Sequence, residues 1–283
     1  MIQYHAQLAR MTTFQLGGVA ERLVQPSSIR ELAETIALGR RRGWPTRILG
    51  HGSNLLLRDR VLPGLTIRLD RRGFGTLRAQ GYEVTAGAGV SLSRLIGFCV
   101  GRGFHGLEGL VGIPAAVGGA LRNNAGGRDV TIAERLSSVT LLNRDGDVVT
   151  LPRGELSFGY RSSSFAESVI LEAVFRLERG VREEALQRCR DHFQRKRADQ
   201  PLAERSAGCI FRNPPGDFAG RLVETAGLKG LRIGRAEISP LHGNFIVAHR
   251  GARSDDVLRL IDHVRERVAN VHGVWLELEI EVW

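Results

Sequence analysis

From Gly106 to Gly127 glycine recurs on both sides of Pro114, at Gly109, Gly112, Gly118, Gly119 and Gly126. So many residues without a Cβ bring backbone N–H groups close to whatever lies against them, which is how a chain grips a pyrophosphate without a charged side chain. A loop that needs only freedom would be hydrophilic. Here Leu110, Val111, Ile113 and Val117 alternate with the glycines, so the segment is expected to be a packed turn held in one shape. That predicts a preformed surface with bare backbone amides against a flat, phosphate-bearing cofactor.

Two shorter glycine turns follow probable strands, Gly50-His51-Gly52-Ser53-Asn54 and Gly87-Ala88-Gly89. Neither has the third glycine of a dinucleotide fingerprint. The only lysines are Lys196 and Lys229, and neither follows the glycine spacing of a P-loop. Each turn alone is more often structural than functional, and it is the three together that point to a cofactor cradle.

The chain has 283 residues, 42% hydrophobic and 25% charged, which suits two or three modest subdomains of an ordinary globular protein. Its net charge of +10 comes almost wholly from arginine, which favours carboxylate and phosphate ligands. The basic residues are spread along the chain with no aromatic-interleaved stripe, so most are read as solvated surface and a nucleic-acid interface is not expected. Cys99, Cys189 and Cys209 are an odd set without C-x-x-C spacing, which argues against a disulfide framework and a structural zinc site. No apolar run near the start resembles a signal peptide, and 106–121 is too short and interrupted to cross a bilayer. A soluble, cytoplasmic protein is expected.

Ser28 with Glu31 reads as a capping box, and Ile29, Leu32, Ala33 and Ile36 continue at helical spacing up to Gly43-Trp44-Pro45. Strands are expected at 47–49, 55–57, 65–69, 83–86, 138–143, 147–151 and 169–175, with Asp145-Gly146 turning between two of them. Helices are expected at 91–102, at 182–197 as a polar connector holding a half-buried, structural Cys189, and from Ser254 to Gly273. The last presents Val257, Ile261, Val264, Val268 and Val271 on one face. The closing segment alternates, with Val274, Leu276, Leu278, Ile280 and Val282 opposite Trp275, Glu277, Glu279, Glu281 and Trp283. This divides the chain into 1–71, 72–180 and 198–283.

There is no G-x-S-x-G elbow and no H-E-x-x-H pair, so serine hydrolysis and metal catalysis fall away and no metal is expected. His51 and His242 stand in suggestive turns, and a satisfied structural role is the safer reading of both. Taken without context, Cys209 is a buried small side chain.

The order and spacing of these segments resemble the UDP-N-acetylenolpyruvoylglucosamine reductase family, in its shorter branch. The resemblance runs over nearly the whole chain. It is carried by Thr13-Phe14 with Gly17-Gly18, Leu49–Leu56, Gly109–Gly126, Gly159-Tyr160-Arg161, Ser206–Pro214, Gly227–Gly230, His242–Val247 and Leu276–Glu279. It implies an α+β protein with an FAD-binding fold of the vanillyl-alcohol-oxidase type, two α/β subdomains, followed by a C-terminal α+β substrate domain. NADPH and UDP-N-acetylglucosamine enolpyruvate would use one cleft in turn, and the chain would act as a monomer.

By matching positions, FAD would meet Gly50, His51, Gly52, Ser53, Asn54, Leu55, Gly87, Ala88, Gly109, Ile113, Pro114, Gly118, Gly119, Asn124, Ala125 and Gly126. Tyr160, Arg212 and Asn213 would hold the substrate. Arg161 would polarise its carboxylate, Glu279 would assist, and Cys209 stands where the family most often has a serine as proton donor. A thiol, with a reference pKa of about 8.5, is still mostly protonated at neutral pH and is a better acid than an alcohol. Alternation alone does not single out Glu279 from Glu277 or Glu281.

Five positions depart from the family pattern. Asp199 replaces a lysine before Gln200-Pro201, so the anchor for the substrate's anion is either missing or supplied by Lys196 or Arg197 through a shift in register. Arg205 stands for proline, His51 for glycine or asparagine, and Gly127-Arg128 for a small residue and an aromatic. Two other functions stay open on the residues alone: a flavin oxidoreductase of the same fold acting on another sugar or alcohol, and a silent basic protein binding nucleotide sugars or RNA.

Overall fold

Short-range signals place most elements of the computed structural model, which describes residues 1–69, 71–127, 130–165 and 167–283. Arg128 therefore lies outside the described residues. The contacts fall into two compact units: Met1–Gln3, Arg22–His51 and Gly64–Arg195 form one, and Tyr4–Glu21, Gly52–Pro63 and Lys196–Trp283 the other.

The first unit holds a five-stranded antiparallel sheet in the order Val148–Pro152, Leu136–Leu142, Val169–Arg176, Glu83–Gly87, Leu77–Gln80. Asn143 closes the first hairpin: its Oδ1 accepts from the N–H groups of Asp145 and Asp147, and Gly146 takes a φ of 94°. The central strand pairs Ala173 with Val139 on one side and with Ala86 on the other. Its apolar residues meet the helix Leu92–Val100, capped by Ser91, in a core that includes Val84, Leu95, Cys99, Val139 and Phe175. Cys189, on the helix Arg182–Asp199, packs half-buried against the same core.

The strand Thr46–Leu49 pairs in parallel with the Leu65–Arg68 stretch of the strand Val61–Arg68. The helix Ile29–Arg41 places Leu32 against Leu65 and Ile67. Its start differs from a full capping box. Ser28 Oγ accepts from Glu31 N–H, but the Glu31 carboxylate accepts from the N–H and hydroxyl of Ser27 instead of Ser28. The carboxylate thus closes one residue further out than a capping box would have it.

In the second unit the strands Arg232–Ile233, Ala236–Ile238 and Ile246–Ala248 form an antiparallel sheet, and Leu55–Leu56 pairs in parallel with Glu281–Val282. The helix Ser254–His272 buries Val257, Leu260, Ile261, Val264 and Val268 against Ile238, Ile246 and Leu276. Val271 is exposed instead, because the helix reaches Gly273 before another turn can cover it. The closing segment is a strand only at Glu281–Val282; before that it makes single bonds to the Cys209–Arg212 stretch rather than a ladder. Among the described residues no helix is long and apolar enough to cross a membrane.

Candidate active site

The glycine segment of the first unit is packed, as its apolar residues predict. Leu107, Leu110, Val117, Ala120 and Leu121 are core residues. Residues 88–92 lie along 115–118: Leu92 N–H donates to the Ala115 carbonyl, Val117 N–H to Val90, and Gly118 N–H to Ala88. The first two amides of the helix Val117–Arg122 are thus already bonded, which corrects the expectation of bare N–H groups there. The glycines divide by what surrounds them. A Cβ on Gly87 would stand 2.3 Å from the Phe74 carbonyl oxygen, so close backbone packing accounts for that residue. A Cβ on Gly119 would meet nothing within 4 Å, so no packing among the described residues requires glycine there.

Beside this segment His51 bonds the Pro114 main chain. Burial lowers its pKa, the charges of Arg68 and Arg71 push the same way, and the bond to Pro114 opposes them only in part. Burial and the two arginines thus favour the neutral ring.

Arg161 sits at the tip of a small hairpin that pairs Phe158–Gly159 with Ser162–Ser163. Its φ is 51°, a left-handed conformation that residues with a Cβ seldom adopt. Its guanidinium lies 5.3 Å from the Tyr160 ring and donates to the Gly126 carbonyl at 3.5 Å. Asn124 Nδ2 donates to the Gly159 carbonyl at 3.0 Å, and Ser163 Oγ to the Arg122 carbonyl at 2.6 Å. The structure therefore brings Arg161 and Tyr160 to Asn124, Ala125 and Gly126.

In the second unit, Cys209 and Glu279 flank one backbone bond, from Glu279 N–H to the Ile210 carbonyl at 2.8 Å. Arg212 N–H donates to Glu277, and Asn54 Nδ2 to the Glu279 carbonyl at 3.1 Å. Glu279 is half-buried while Glu277 and Glu281 are exposed, a distinction alternation cannot make. Asn213 Oδ1 accepts from Ala219 N–H and so caps the helix Ala219–Thr225. Ser53 is half-buried, Leu55 is buried in its strand, and the Gly52 carbonyl accepts from Thr13.

Sequence reasoning gave no role to Asn244, which holds the Cys209–Arg212 stretch in place. Buried at 3% exposure, it accepts from Phe211 N–H and donates to the Phe211 carbonyl. Its only signal was its place in the His242-Gly243-Asn244-Phe245 motif. His242 has the structural role expected of it: Nδ1 accepts from Asn244 N–H, and burial lowers its pKa. Lys196 lies one helical turn before Asp199 and is half-buried, and burial pushes its ammonium down to about 8; Arg197 is exposed.

An FAD binding domain model matches residues 20–152, and the model of the UDP-N-acetylenolpyruvoylglucosamine reductase C-terminal domain matches residues 200–283. The reductase of that name from Moorella thermoacetica is 41% identical over 281 residues, covering 98% of this chain and 91% of its own. The Bacillus subtilis reductase is 38% identical over 278 residues, covering 97% and 91%. The chain belongs to the UDP-N-acetylenolpyruvoylglucosamine reductase family. The crystal structure of the family's Thermus caldophilus enzyme superposes with a TM-score of 0.87 at 39% identity, over 100% of this chain and 99% of that one.

The residues present fit the FAD of this family on two counts. Gly119 leaves open space where a side chain would stand. Asn124, 7% exposed, has a buried Oδ1 that meets no hydrogen-bond donor among the described residues. An unsatisfied buried acceptor is costly, so a donor from a bound group is the economical explanation.

Proposed function

We propose that this protein reduces UDP-N-acetylglucosamine enolpyruvate to UDP-N-acetylmuramate at the expense of NADPH, a step of peptidoglycan precursor synthesis. The observation that carries the reading is the bond between Glu279 N–H and the Ile210 carbonyl, which joins the segment carrying the half-buried Glu279 to the stretch carrying Cys209, the candidate proton donor. The family relationship supplies the substrate class. Bound FAD supplies hydride transfer from NADPH to the enolpyruvyl group.

The chain's own residues then have separable roles. Gly50, His51, Pro114, Gly118, Gly119 and Asn124–Gly126 hold the flavin nucleotide through close backbone approach, with the Asn124 Oδ1 as an acceptor. Arg161 faces the substrate carboxylate and stabilises the negative charge that grows there and on the neighbouring carbon. Cys209 Sγ–H delivers the proton to C2, and Glu279 steadies that transfer. Tyr160, Arg212 and Asn213 contact the UDP-sugar. Lys196, the half-buried one of two candidate cations, anchors its anion in place of the family's lysine.

We further read the protein as a cytoplasmic monomer; its three cysteines, none in a disulfide, suit a reducing compartment. The test is anaerobic NADPH oxidation by the FAD-loaded protein with and without the enolpyruvyl sugar. Oxidation that depends on the sugar is expected. Flavin reduction that never passes to the sugar would leave the fold and remove the substrate.

A further inference from the structure

A hairpin of two pairs has little stability of its own, and this one must also hold Arg161 at a φ of 51°. A left-handed, non-glycine residue is strained and persists only where its surroundings over-determine it. Ser163 is tied to the Arg122 carbonyl, the Arg161 guanidinium reaches Gly126 at the 3.5 Å limit, and the Gly159 carbonyl, two residues before Arg161, is held by Asn124.

Asn124 suits that task in three ways. It is buried and rooted at the end of the helix Val117–Arg122, where its N–H donates to the Leu121 carbonyl. Its own φ is 40°, a conformation asparagine tolerates better than other residues with a Cβ. Its amide has one sense only, since a carbonyl can be faced by the NH2 end and not by the oxygen. We propose that Asn124 is a positioning residue for Arg161: by clamping the Gly159 carbonyl it fixes the hairpin that aims the guanidinium at the substrate carboxylate. This role is additional to any contact Asn124 makes with FAD, and it rests on the reading of Arg161 given above.

Three variants of the holoenzyme, Asn124→Gly, Arg161→Ala and the double variant, test the assignment. Glycine tolerates the positive φ and removes the carboxamide with its Cβ. Asn124→Asp, which keeps the volume and replaces the donor with an acceptor, serves as a second probe if the glycine variant does not fold. The two half-reactions are followed separately by anaerobic stopped flow at saturating FAD, with occupancy read from the flavin absorbance. Flavin reduction by NADPH, which reports the loss of the FAD contact assigned to Asn124, is expected to slow less than reoxidation in Asn124→Gly. Reoxidation by the enolpyruvyl sugar is expected to slow about ten- to a hundredfold, the scale of a misplaced catalytic group. Arg161→Ala should slow the same half-reaction, and the double variant should be no slower than Arg161→Ala, because Asn124 acts through that side chain.

Hydrogen exchange on the apoprotein gives a readout independent of turnover: the amides of 158–163 should lose protection in Asn124→Gly. Additive losses in the double variant, unchanged exchange in the hairpin, or equal slowing of both half-reactions would each overturn the positioning role. Wild-type reoxidation in Arg161→Ala would overturn the reading of Arg161 and the inference with it. Slow reoxidation in Arg161→Ala with wild-type reoxidation in Asn124→Gly overturns the inference alone.

Discussion

Asn54 donates from Nδ2 to the main-chain carbonyl of Glu279 across 225 positions of sequence, and Glu281 N–H returns a bond to the Asn54 carbonyl. Together these bonds place the turn after Gly52 alongside the segment that carries Glu279. The side-chain bond fixes the backbone on one side of Glu279, and the bond from its own N–H to Ile210 fixes the other.

Asn54→Ala removes the first of these bonds and leaves the main-chain bond intact. The loss of one partly buried hydrogen bond should lower stability by about 0.5–1.5 kcal/mol. Turnover should fall further than that loss explains, because Glu279 is released. Urea unfolding and steady-state rates measure the two, and unchanged turnover would detach Asn54 from the Glu279 site.

Cys209→Ala should cost about a hundred- to ten-thousandfold in turnover, the usual worth of a general acid. Cys209→Ser restores a proton donor and should recover most of it, with FAD content the same in both variants. An alanine variant near the wild-type rate would return Cys209 to a packing role.

Gly119→Ala separates folding from cofactor binding. With no atom within 4 Å of the new Cβ, alanine should stabilise the apoprotein by about 0.5–1 kcal/mol through its better helix propensity. It should weaken FAD by about 1–3 kcal/mol if the open space belongs to the cofactor. Thermal unfolding of the apoprotein and a fluorescence titration with FAD give the two numbers, and undiminished affinity would remove Gly119 from the cradle.

Glu237 offers a test of pH dependence. Burial alone would raise its pKa, but the bonds from His249 Nε2 at 2.5 Å and Arg232 at 2.8 Å, with their charges, outweigh it and hold the carboxyl below its usual range. A depressed carboxylate contributes stability that is fully present above its unfolded pKa of about 4.3 and fades as pH falls through the folded value. Glu237→Gln should therefore be less stable than wild type by about 1–3 kcal/mol at neutral pH. Denaturation midpoints should converge as the solution is acidified below that range, and a gap independent of pH would mean that packing, not charge, supports the residue.

Signals confined to a few neighbouring residues were readable directly. Ser91 caps its helix, Asn143 and Asp145-Gly146 turn their hairpin, and Asp256 closes on Arg253 N–H at the start of the last helix, because each is decided by bonds that span two to four positions. The candidate site was legible only through the family resemblance. Asn244, Glu279 and Asn124 owe their places to partners 33, 225 and 35 positions away. No periodicity marks such pairs. The strict alternation of 274–282 promised a strand that the chain does not complete, because the neighbouring Cys209–Arg212 stretch supplies single bonds where a continuous strand would supply a ladder.

By itself, then, the sequence determined the local elements, the packed character of the glycine segment and the family to which the chain belongs. Tertiary structure alone decided which of three glutamates is half-buried, which glycine faces open space, and what holds Arg161 in a disfavoured conformation. The physical reason is one of range. Caps and turns minimise their energy within a few residues, whereas burial and long-range hydrogen bonds depend on which distant segments the fold brings together.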